Sequence, residues 1–236
     1  MKIEVLYPEV CNLYGDLQNA QYLKRCCEKI EIVETDLKSR PRFLDEDIAL
    51  VTVASTTEQG LRLAADALRP LKAEIQAKLD AGQRILLTGN SQDIFLQRIE
   101  SDKAPVIEGV GLLPGCARYQ MMKRHNSFFL GQFEGMDIVG FKSLFGHTWD
   151  AGEENGWFTA ERGIGRNPET TVEGFRMGNL FATYLIGPLL ILNPPLCKWF
   201  LREMGLDDAL AFEDAAMDSY QKRVAEFREP ARSWKY

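Results

Sequence analysis

Short apolar runs alternate with longer amphipathic segments through the N-terminal part of the chain, and this alternation constrains the fold most. Runs typical of buried strands cover residues 3–7, 30–37, 48–54 and 84–88. Helical patterns lie between them at residues 16–29 and 58–80, where Pro70 interrupts the second pattern and Gly82 follows it. Strands that alternate with helices in this way form right-handed crossover units. The sequence therefore predicts an α/β fold, a mostly parallel sheet with helices on both faces.

The pattern changes after Val106, where apolar runs become shorter and lie between glycines and polar turns. Runs of this kind, typical of antiparallel strands, are residues 128–130, 137–141 and 157–160. We expect these strands to continue the parallel sheet, which would make it a mixed sheet.

Two helical segments are predicted near the C-terminus, at about residues 195–204 and 207–228. A short tail with Trp234 and Tyr236 follows them, and we expect it to be disordered unless something docks on it. We predict one main domain over residues 1–205 and a helical extension over residues 206–236 that packs on the same domain.

Composition and charge exclude several classes of protein. Hydrophobic residues make up 45% and charged residues 26% of the 236 residues, which is ordinary for a soluble globular chain. The net charge of -6 leaves no basic stripe for nucleic acid. No apolar run reaches the roughly 18 residues of a membrane span, so we expect a cytoplasmic protein.

Cysteine and histidine usage argues against metal sites and disulfides. The five cysteines contain no CxxC pair, and only His125 and His147 could join them in a metal site. We therefore predict reduced thiols, no structural metal and no cofactor.

Three motifs are spread along nearly the whole chain. They are Asn12–Asp16 with Asn19, then Glu108–Leu113, and finally residues 178–190 with Asn193–Pro194. In this order they resemble motifs of the CobB/CobQ-like class I glutamine amidotransferases, and most closely the amidotransferase subunits of lipid II isoglutaminyl synthases. The third motif is the most specific, because it matches a family pattern N-x-x-G-T-Y-L-H-G-P-L-L-x-x-N-P.

The resemblance implies a flavodoxin-like fold and a particular chemistry. In the family a cysteine on a tight turn between strand and helix attacks the amide of glutamine, a histidine moves protons, and backbone N–H groups hold the oxyanion. The resemblance also implies a Mur-ligase-like partner that receives the ammonia and amidates a peptidoglycan precursor.

The chain departs from the family pattern at the positions that carry this chemistry. Thr88 stands where the family has its cysteine, and Ile186 stands where it has its histidine. Residues 52–54 replace the glycine triplet of the oxyanion loop. We therefore predict a degenerate site without glutaminase activity, a pseudoenzyme that acts by binding. Its vestigial pocket is predicted to comprise Thr52, Val53, Ala54, Ser55, Gly89, Asn90, Gln92 and Tyr184.

Two other functions stay open at this point. The chain could be an active amidotransferase or another hydrolase with an unrecognised nucleophile, and Cys116 with His147 is the best pair. Ser91 or Thr88 acting with an acidic neighbour, Asp93 or Glu58, is a weaker arrangement because no histidine is placed to serve them. Alternatively, the chain is a structural subunit that dimerises through its C-terminal helices.

Two polar segments allow more than one interpretation. Tyr14, Asp16 and Asn19 could line the mouth of the old pocket, although Asp16 is also typical of a helix N-terminus. Residues 149–157 form a polar and aromatic loop, which could contact a partner or be a solvated turn.

Overall fold

The structure, a computed structural model, describes residues 1–230. Numbered along the chain, the strands are β1 (Lys2–Leu6), β2 (Glu31–Thr35), β3 (Leu50–Val53), β4 (Ile85–Thr88), β5 (Arg98–Ser101), β6 (Ile107–Glu108), β7 (Cys116–Tyr119), β8 (His125–Phe133), β9 (Met136–Leu144), β10 (Gly146–Trp149), β11 (Phe158–Arg162), β12 (Val172–Glu173), β13 (Phe175–Met177) and β14 (Leu180–Thr183). The α-helices are α1 (Gln18–Cys26), α2 (Glu58–Leu68), α3 (Lys72–Asp80), α4 (Gln92–Phe95), α5 (Leu189–Leu192), α6 (Pro194–Glu203) and α7 (Glu213–Arg228).

The main sheet has six strands in the order β13-β14-β4-β3-β1-β2. Every neighbouring pair is parallel except β13 with β14. The parallel strands follow the order 2-1-3-4-5 along the chain, which is the doubly wound order of flavodoxin. The predicted mixed, mostly parallel sheet is confirmed.

Helices cover both faces of the main sheet. Successive residues of each strand point to opposite faces, so each strand contributes side chains to two cores. On one face Val51 of β3 packs in a core with Leu61 of α2. On the other face Leu50 packs in a core with Leu23 of α1 and Leu196 of α6. The prediction of helices on both faces is confirmed.

The long helical pattern of residues 58–80 is split where its sequence predicts. The side chain of Thr57 caps α2 by accepting a hydrogen bond from the Gly60 N–H at 3.1 Å. Pro70 lies in a 3-10 turn that separates α2 from α3. Gly82, with φ +97°, follows the end of α3 in the left-handed region that favours glycine.

The antiparallel strands do not continue the main sheet, so that part of the prediction was wrong. The predicted runs become β8, β9 and β11, which form an antiparallel sheet of their own with β12, in the order β12-β11-β8-β9. A third sheet, in the order β10-β7-β5-β6, is mixed, because β5 and β7 are parallel. The antiparallel strand that does join the main sheet is β13, which takes the edge position beside β14. A single bridge between Phe141 and Ile186 links β9 to the loop that follows β14.

The last helix begins later than the sequence pattern indicates. Residues 207–212 are not helical, because the Asp207 side chain accepts a hydrogen bond from the Ala209 N–H at 3.1 Å and Phe212 adopts a left-handed φ of 55°. From Glu213 onward α7 packs Val224 and other apolar residues against β8 and β9. The division at residue 205 stays a prediction, and Trp234 and Tyr236 lie outside the described residues.

Among the helices of residues 1–230, none combines the length and the apolar composition that crossing a membrane requires.

Candidate functional site

A pocket of about 160 Å³ opens at the carboxyl ends of the parallel strands, where ligands bind in doubly wound folds. Of the residues predicted for the vestigial pocket, Gly89, Asn90 and Tyr184 line it, and Ile186 borders it as well. The other predicted members are buried beneath it and do not line it: Thr52, Val53, Ala54, Ser55, Gln92 and, at the cysteine position, Thr88.

A buried carboxylate connects several of the loops at the pocket. Asp16 is 3% exposed, and its Oδ2 accepts hydrogen bonds from Ser55 Oγ at 2.6 Å and from Thr88 Oγ1 at 3.0 Å. Its Oδ1 accepts the backbone N–H of Gly187 at 2.9 Å. Burial raises the pKa of Asp16, and these hydrogen bonds oppose part of the rise. We call Asp16, Ser55 and Thr88 the Asp16 centre; together with Gly187 it joins four chain segments.

The turn after β4 differs in conformation from the tight strand-to-helix turn, the nucleophile elbow, that carries the cysteine in the family. Thr88 is extended, with φ -119° and ψ 145°, so its side chain points to one face of the sheet as in an ordinary strand. The left-handed residue is Gly89, with φ +62°. A Cβ atom on Gly89 would lie 1.9 Å from Ser55 Oγ and 2.9 Å from Ile186 Cγ2. The side chain of Ser55 therefore fills the space into which an elbow residue would project.

The loop after β3 is closed by a side chain from the loop after β4. Asn90 Oδ1 accepts the Thr56 N–H at 2.9 Å, and Asn90 Nδ2 donates to the Thr56 carbonyl at 2.8 Å. Thr52 and Val53 are still in β3, where Val53 lies opposite Leu87 of β4. The Thr56 N–H, which follows the predicted oxyanion residues 52–54, is thus already bonded within the protein.

A second buried carboxylate binds two tyrosines that line the pocket. Asp93 is fully buried and accepts hydrogen bonds from Tyr119 Oη at 2.6 Å and from Tyr184 Oη at 2.7 Å. Burial raises the pKa of Asp93 to about 7. We call these three residues the Asp93 centre. Both tyrosines line the pocket, and the role of Tyr119 carries no signal in the sequence, since its partner is 26 residues away.

The weaker catalytic arrangements predicted from sequence are not assembled. Asp93 receives its two side-chain hydrogen bonds from the tyrosines, and the Ser91 hydroxyl donates to the carbonyls of Val53 and Thr88 at 2.9 and 2.8 Å. Glu58 lies in the first turn of α2 and lines the pocket. Ser91 is therefore used to bind backbone within the turn.

Cys116 and His147 lie on neighbouring strands but have different partners. The Cys116 thiol lies 3.6 Å from Asp150 Oδ2, and burial is the main cause that raises its pKa. His147 lies opposite Arg118 in the strand pair, and its Nε2 is buried without a hydrogen-bond partner in the described part of the chain. Burial lowers the pKa of His147 to about 4. This geometry gives neither a thiolate nor a base paired with it.

The polar segment after β1 contributes to the site without capping a helix. Tyr14 lies at the pocket, and its hydroxyl accepts a hydrogen bond from Arg124 at 3.2 Å. Asn19 Oδ1 accepts the Leu190 N–H at 2.8 Å, which ties α1 to α5. Asp16 lies next to Leu17, the N-cap of α1, as expected for a residue at a helix N-terminus, but its side chain does not cap the helix.

A buried ion pair holds the loop that carries Tyr184 and Ile186. Lys142 Nζ pairs with Glu173, and both side chains are at most 1% exposed. The other oxygen of Glu173 accepts hydrogen bonds from Thr183 Oγ1 and from the Tyr184 N–H, each at 2.8 Å. The start of this loop is thus held at Thr183 and Tyr184 by interactions inside the protein.

Two further sequence predictions concern residues away from the pocket. Trp157, which the sequence places in a polar loop, is 3% exposed and stacks on Phe158 in the core. Within residues 1–230, no three His, Cys, Asp or Glu side chains lie close enough together to hold a metal ion.

Solved structures with the same architecture define the class. The structure of PurLQS from Thermotoga maritima superposes with a TM-score of 0.57 at 16% identity, over 94% of this chain and 98% of that one. A crystal structure of a glutamine amidotransferase gives a TM-score of 0.56 at 15% identity, over 86% of this chain and 99% of that one. The fold is that of the class I glutamine amidotransferases.

Curated relatives sharpen this placement. The chain is 26% identical over 213 residues to the lipid II isoglutaminyl synthase (glutamine-hydrolyzing) subunit GatD of Staphylococcus aureus strain N315, covering 88% of this chain and 86% of the relative. It is 27% identical over 206 residues to the GatD subunit of Streptococcus pneumoniae strain R6, covering 83% and 77%. No protein-family model matches the chain. The predicted resemblance to this amidotransferase subunit is confirmed.

Proposed function

We propose that this chain is a glutamine amidotransferase-like subunit that does not hydrolyse glutamine and acts by binding. We propose further that it is cytoplasmic and that its partner is a Mur-ligase-like protein in the amidation of a cell-wall precursor. The relatives named above support the pathway, because both are subunits of a lipid II isoglutaminyl synthase.

The observation that carries the proposed inactivity is the Asp16 centre. Attack on an amide needs a nucleophile beside a base, with its reactive atom exposed to the substrate. The hydroxyls of Thr88 and Ser55 both donate to the Asp16 carboxylate, but both residues are at most 2% exposed, so neither oxygen can reach a substrate. Because Thr88 is buried outside the pocket lining, its hydroxyl has no access to a ligand.

The pocket wall above this centre supports the same proposal. Where the family has its histidine, Ile186 presents an apolar side chain that neither donates nor accepts a proton. Residues 52–54 stand where the family has its oxyanion glycines, and Asn90 occupies the Thr56 N–H in the loop that follows them. The nucleophile and the base are thus replaced, and a backbone N–H next to the predicted oxyanion residues is already bonded.

The proposal is tested by making the chain together with the Mur-ligase-like protein of its own host. We expect the two to co-elute as a complex in size-exclusion chromatography. We expect the complex to release no ammonia from L-glutamine above a protein-free blank. The glutamine-hydrolysing S. aureus relative, assayed with its own partner, is the positive control. Chromatography that resolves two separate proteins would refute the proposed partner, and ammonia release would refute the proposed inactivity.

The rival enzyme hypothesis needs a nucleophile that the geometry does not supply. Cys116 was its best candidate, but burial and Asp150 both raise the pKa of its thiol. If ammonia is released, a Cys116→Ser variant decides the question, because a catalytic thiol would take the activity with it.

The third hypothesis, dimerisation through the C-terminal helices, receives no support from α7. Its buried residues Tyr220, Val224 and Phe227 pack against β8 and β9 of the same chain. Light scattering of the purified chain measures its mass directly, and we expect the mass of a monomer.

A further inference from the structure

Two cysteines meet on the side of the main sheet that α1 and α6 cover. Cys26 is the last residue of α1 and is partly exposed, whereas Cys197 of α6 is fully buried. Both side chains belong to one apolar cluster, and the interaction between the two thiols is the largest influence on the pKa of each. Because they come from helices far apart in the sequence, a bond between them would link two elements that only packing now holds together.

The segment that precedes α7 contacts Cys26 and gives its sulfur a hydrogen-bond donor. The Ala211 N–H donates to Cys26 Sγ at 3.4 Å, and the Ala211 carbonyl accepts the hydroxyl of Tyr22 at 2.8 Å. Ala211 therefore ties this segment to α1 through the sulfur of Cys26 and the hydroxyl of Tyr22.

The two thiols differ in their readiness to ionise. Hydrogen bonds from Cys197 and from the Ala211 N–H lower the pKa of Cys26 to about 7, although burial and the Glu213 carboxylate oppose this. The hydrogen bond to Cys26 and burial raise the pKa of Cys197. A thiol with a pKa near 7 is about half thiolate at neutral pH, against a few per cent for an ordinary cysteine, and the thiolate is the nucleophile.

We propose that Cys26 is a site of oxidation by peroxides and that Cys197 resolves it to a disulfide between α1 and α6. The Cys26 thiolate attacks one oxygen of hydrogen peroxide, the O–O bond breaks, and a sulfenic acid and hydroxide form. The sulfur of Cys197 then attacks the sulfenic sulfur, the S–O bond breaks, and a second hydroxide leaves. The two thiols lose two electrons in total, and their two protons join the two hydroxides, so one hydrogen peroxide is reduced to two waters.

The remaining cysteines provide internal comparisons. Burial raises the pKa of Cys11 to about 12, and burial also raises the pKa of Cys116. Cys27 is the neighbour of Cys26 and has the same partial exposure, but it follows the end of α1. Cys27 is therefore the matched control for accessibility.

The test uses the reduced full-length chain treated with one equivalent of hydrogen peroxide at pH 7. Free thiols are then alkylated, and the peptides are mapped by mass spectrometry. We expect a Cys26–Cys197 disulfide, with Cys27 still alkylated. In the untreated chain we expect iodoacetamide to modify Cys26 roughly five to ten times faster than Cys27.

Variants separate the two steps. Cys27→Ser should form the disulfide as the native chain does. Cys197→Ala should stop at a Cys26 sulfenic acid that dimedone traps, and circular dichroism checks that this variant is folded. Complete alkylation of Cys26 and Cys197 after peroxide, or a disulfide from Cys26 to any other cysteine, would overturn the proposal.

Discussion

The Asp16 centre and the Asp93 centre are both buried carboxylates at the carboxyl edge of the main sheet, but they are satisfied in different ways. Asp16 takes donors from three other segments, two hydroxyls and one backbone N–H. Asp93 takes two tyrosine hydroxyls. The partners of Asp93 line the pocket, whereas Ser55 and Thr88 do not.

This difference divides the residues at this edge of the sheet into those that join loops and those that face the pocket. The residues at the expected nucleophile position are used to join loops, so their loss should reduce stability. The polar groups that face the pocket belong to the Asp93 centre and its surroundings. The predictions below test this division, beginning with the largest expected effect.

Removing the carboxylate of the Asp16 centre should have the largest effect on stability. Asp16→Ala leaves the Ser55 and Thr88 hydroxyls and the Gly187 N–H buried without their acceptor, and we expect a loss of roughly 3 kcal/mol or more in the free energy of unfolding. Urea denaturation measures it. As a control, Asp66→Ala removes only an exposed pair with Arg69 and should cost less than about 0.5 kcal/mol. Equal effects of the two variants would contradict the structural role of the Asp16 centre.

The Asp93 centre should appear in the pH dependence of stability. The pKa of Asp93 is raised from 3.8 to about 7 in the folded chain, so the folded state holds more protons than the unfolded state between these values. Its contribution to stability is therefore present in acid and is lost as pH rises from about 4 to about 7, by roughly 1 kcal/mol per pH unit. Urea unfolding of Asp93→Asn across this range should lack that fall relative to the native chain. Parallel curves for the two proteins would show that Asp93 ionises normally.

A smaller effect is expected from a single hydroxyl of the Asp16 centre. Thr88→Val removes one donor to Asp16 with little change of shape, and we expect a loss of about 1 kcal/mol in the free energy of unfolding. Thr52→Val is the matched control, because its hydroxyl reaches only the Glu4 carbonyl at 3.5 Å. A Thr88→Val chain as stable as the native one would show that the Thr88 hydroxyl is not held by Asp16.

Much of the fold follows from local patterns. The apolar runs of β1 and β3 and the break at Pro70 depend on neighbouring residues, so the sequence predicts them. The two separate sheets do not follow, because a run such as that of β8 indicates a strand but not the sheet that the strand joins. The late start of α7 also escapes the pattern, since it depends on the left-handed Phe212.

The site was predictable only in part, for a similar reason. Motif spacing brings Gly89 and Ile186 to one pocket wall, which the structure shows. The contacts of Asp16 with Ser55 and Thr88 join residues 39 and 72 positions apart, and no local pattern predicts them. The substitution of residues at the expected catalytic positions is visible in the sequence, whereas their hydrogen-bond partners require the fold.

The most direct test of the central claim is the release of ammonia and glutamate from L-glutamine by the native chain in the presence of its Mur-ligase-like partner. We predict no release above the blank, because the hydroxyls near the old nucleophile position are held by Asp16 beneath the pocket. Release of ammonia and glutamate above the blank by the native chain would contradict this account. If such release persisted in a Thr88→Val, Ser55→Ala double variant, the nucleophile would lie outside the Asp16 centre.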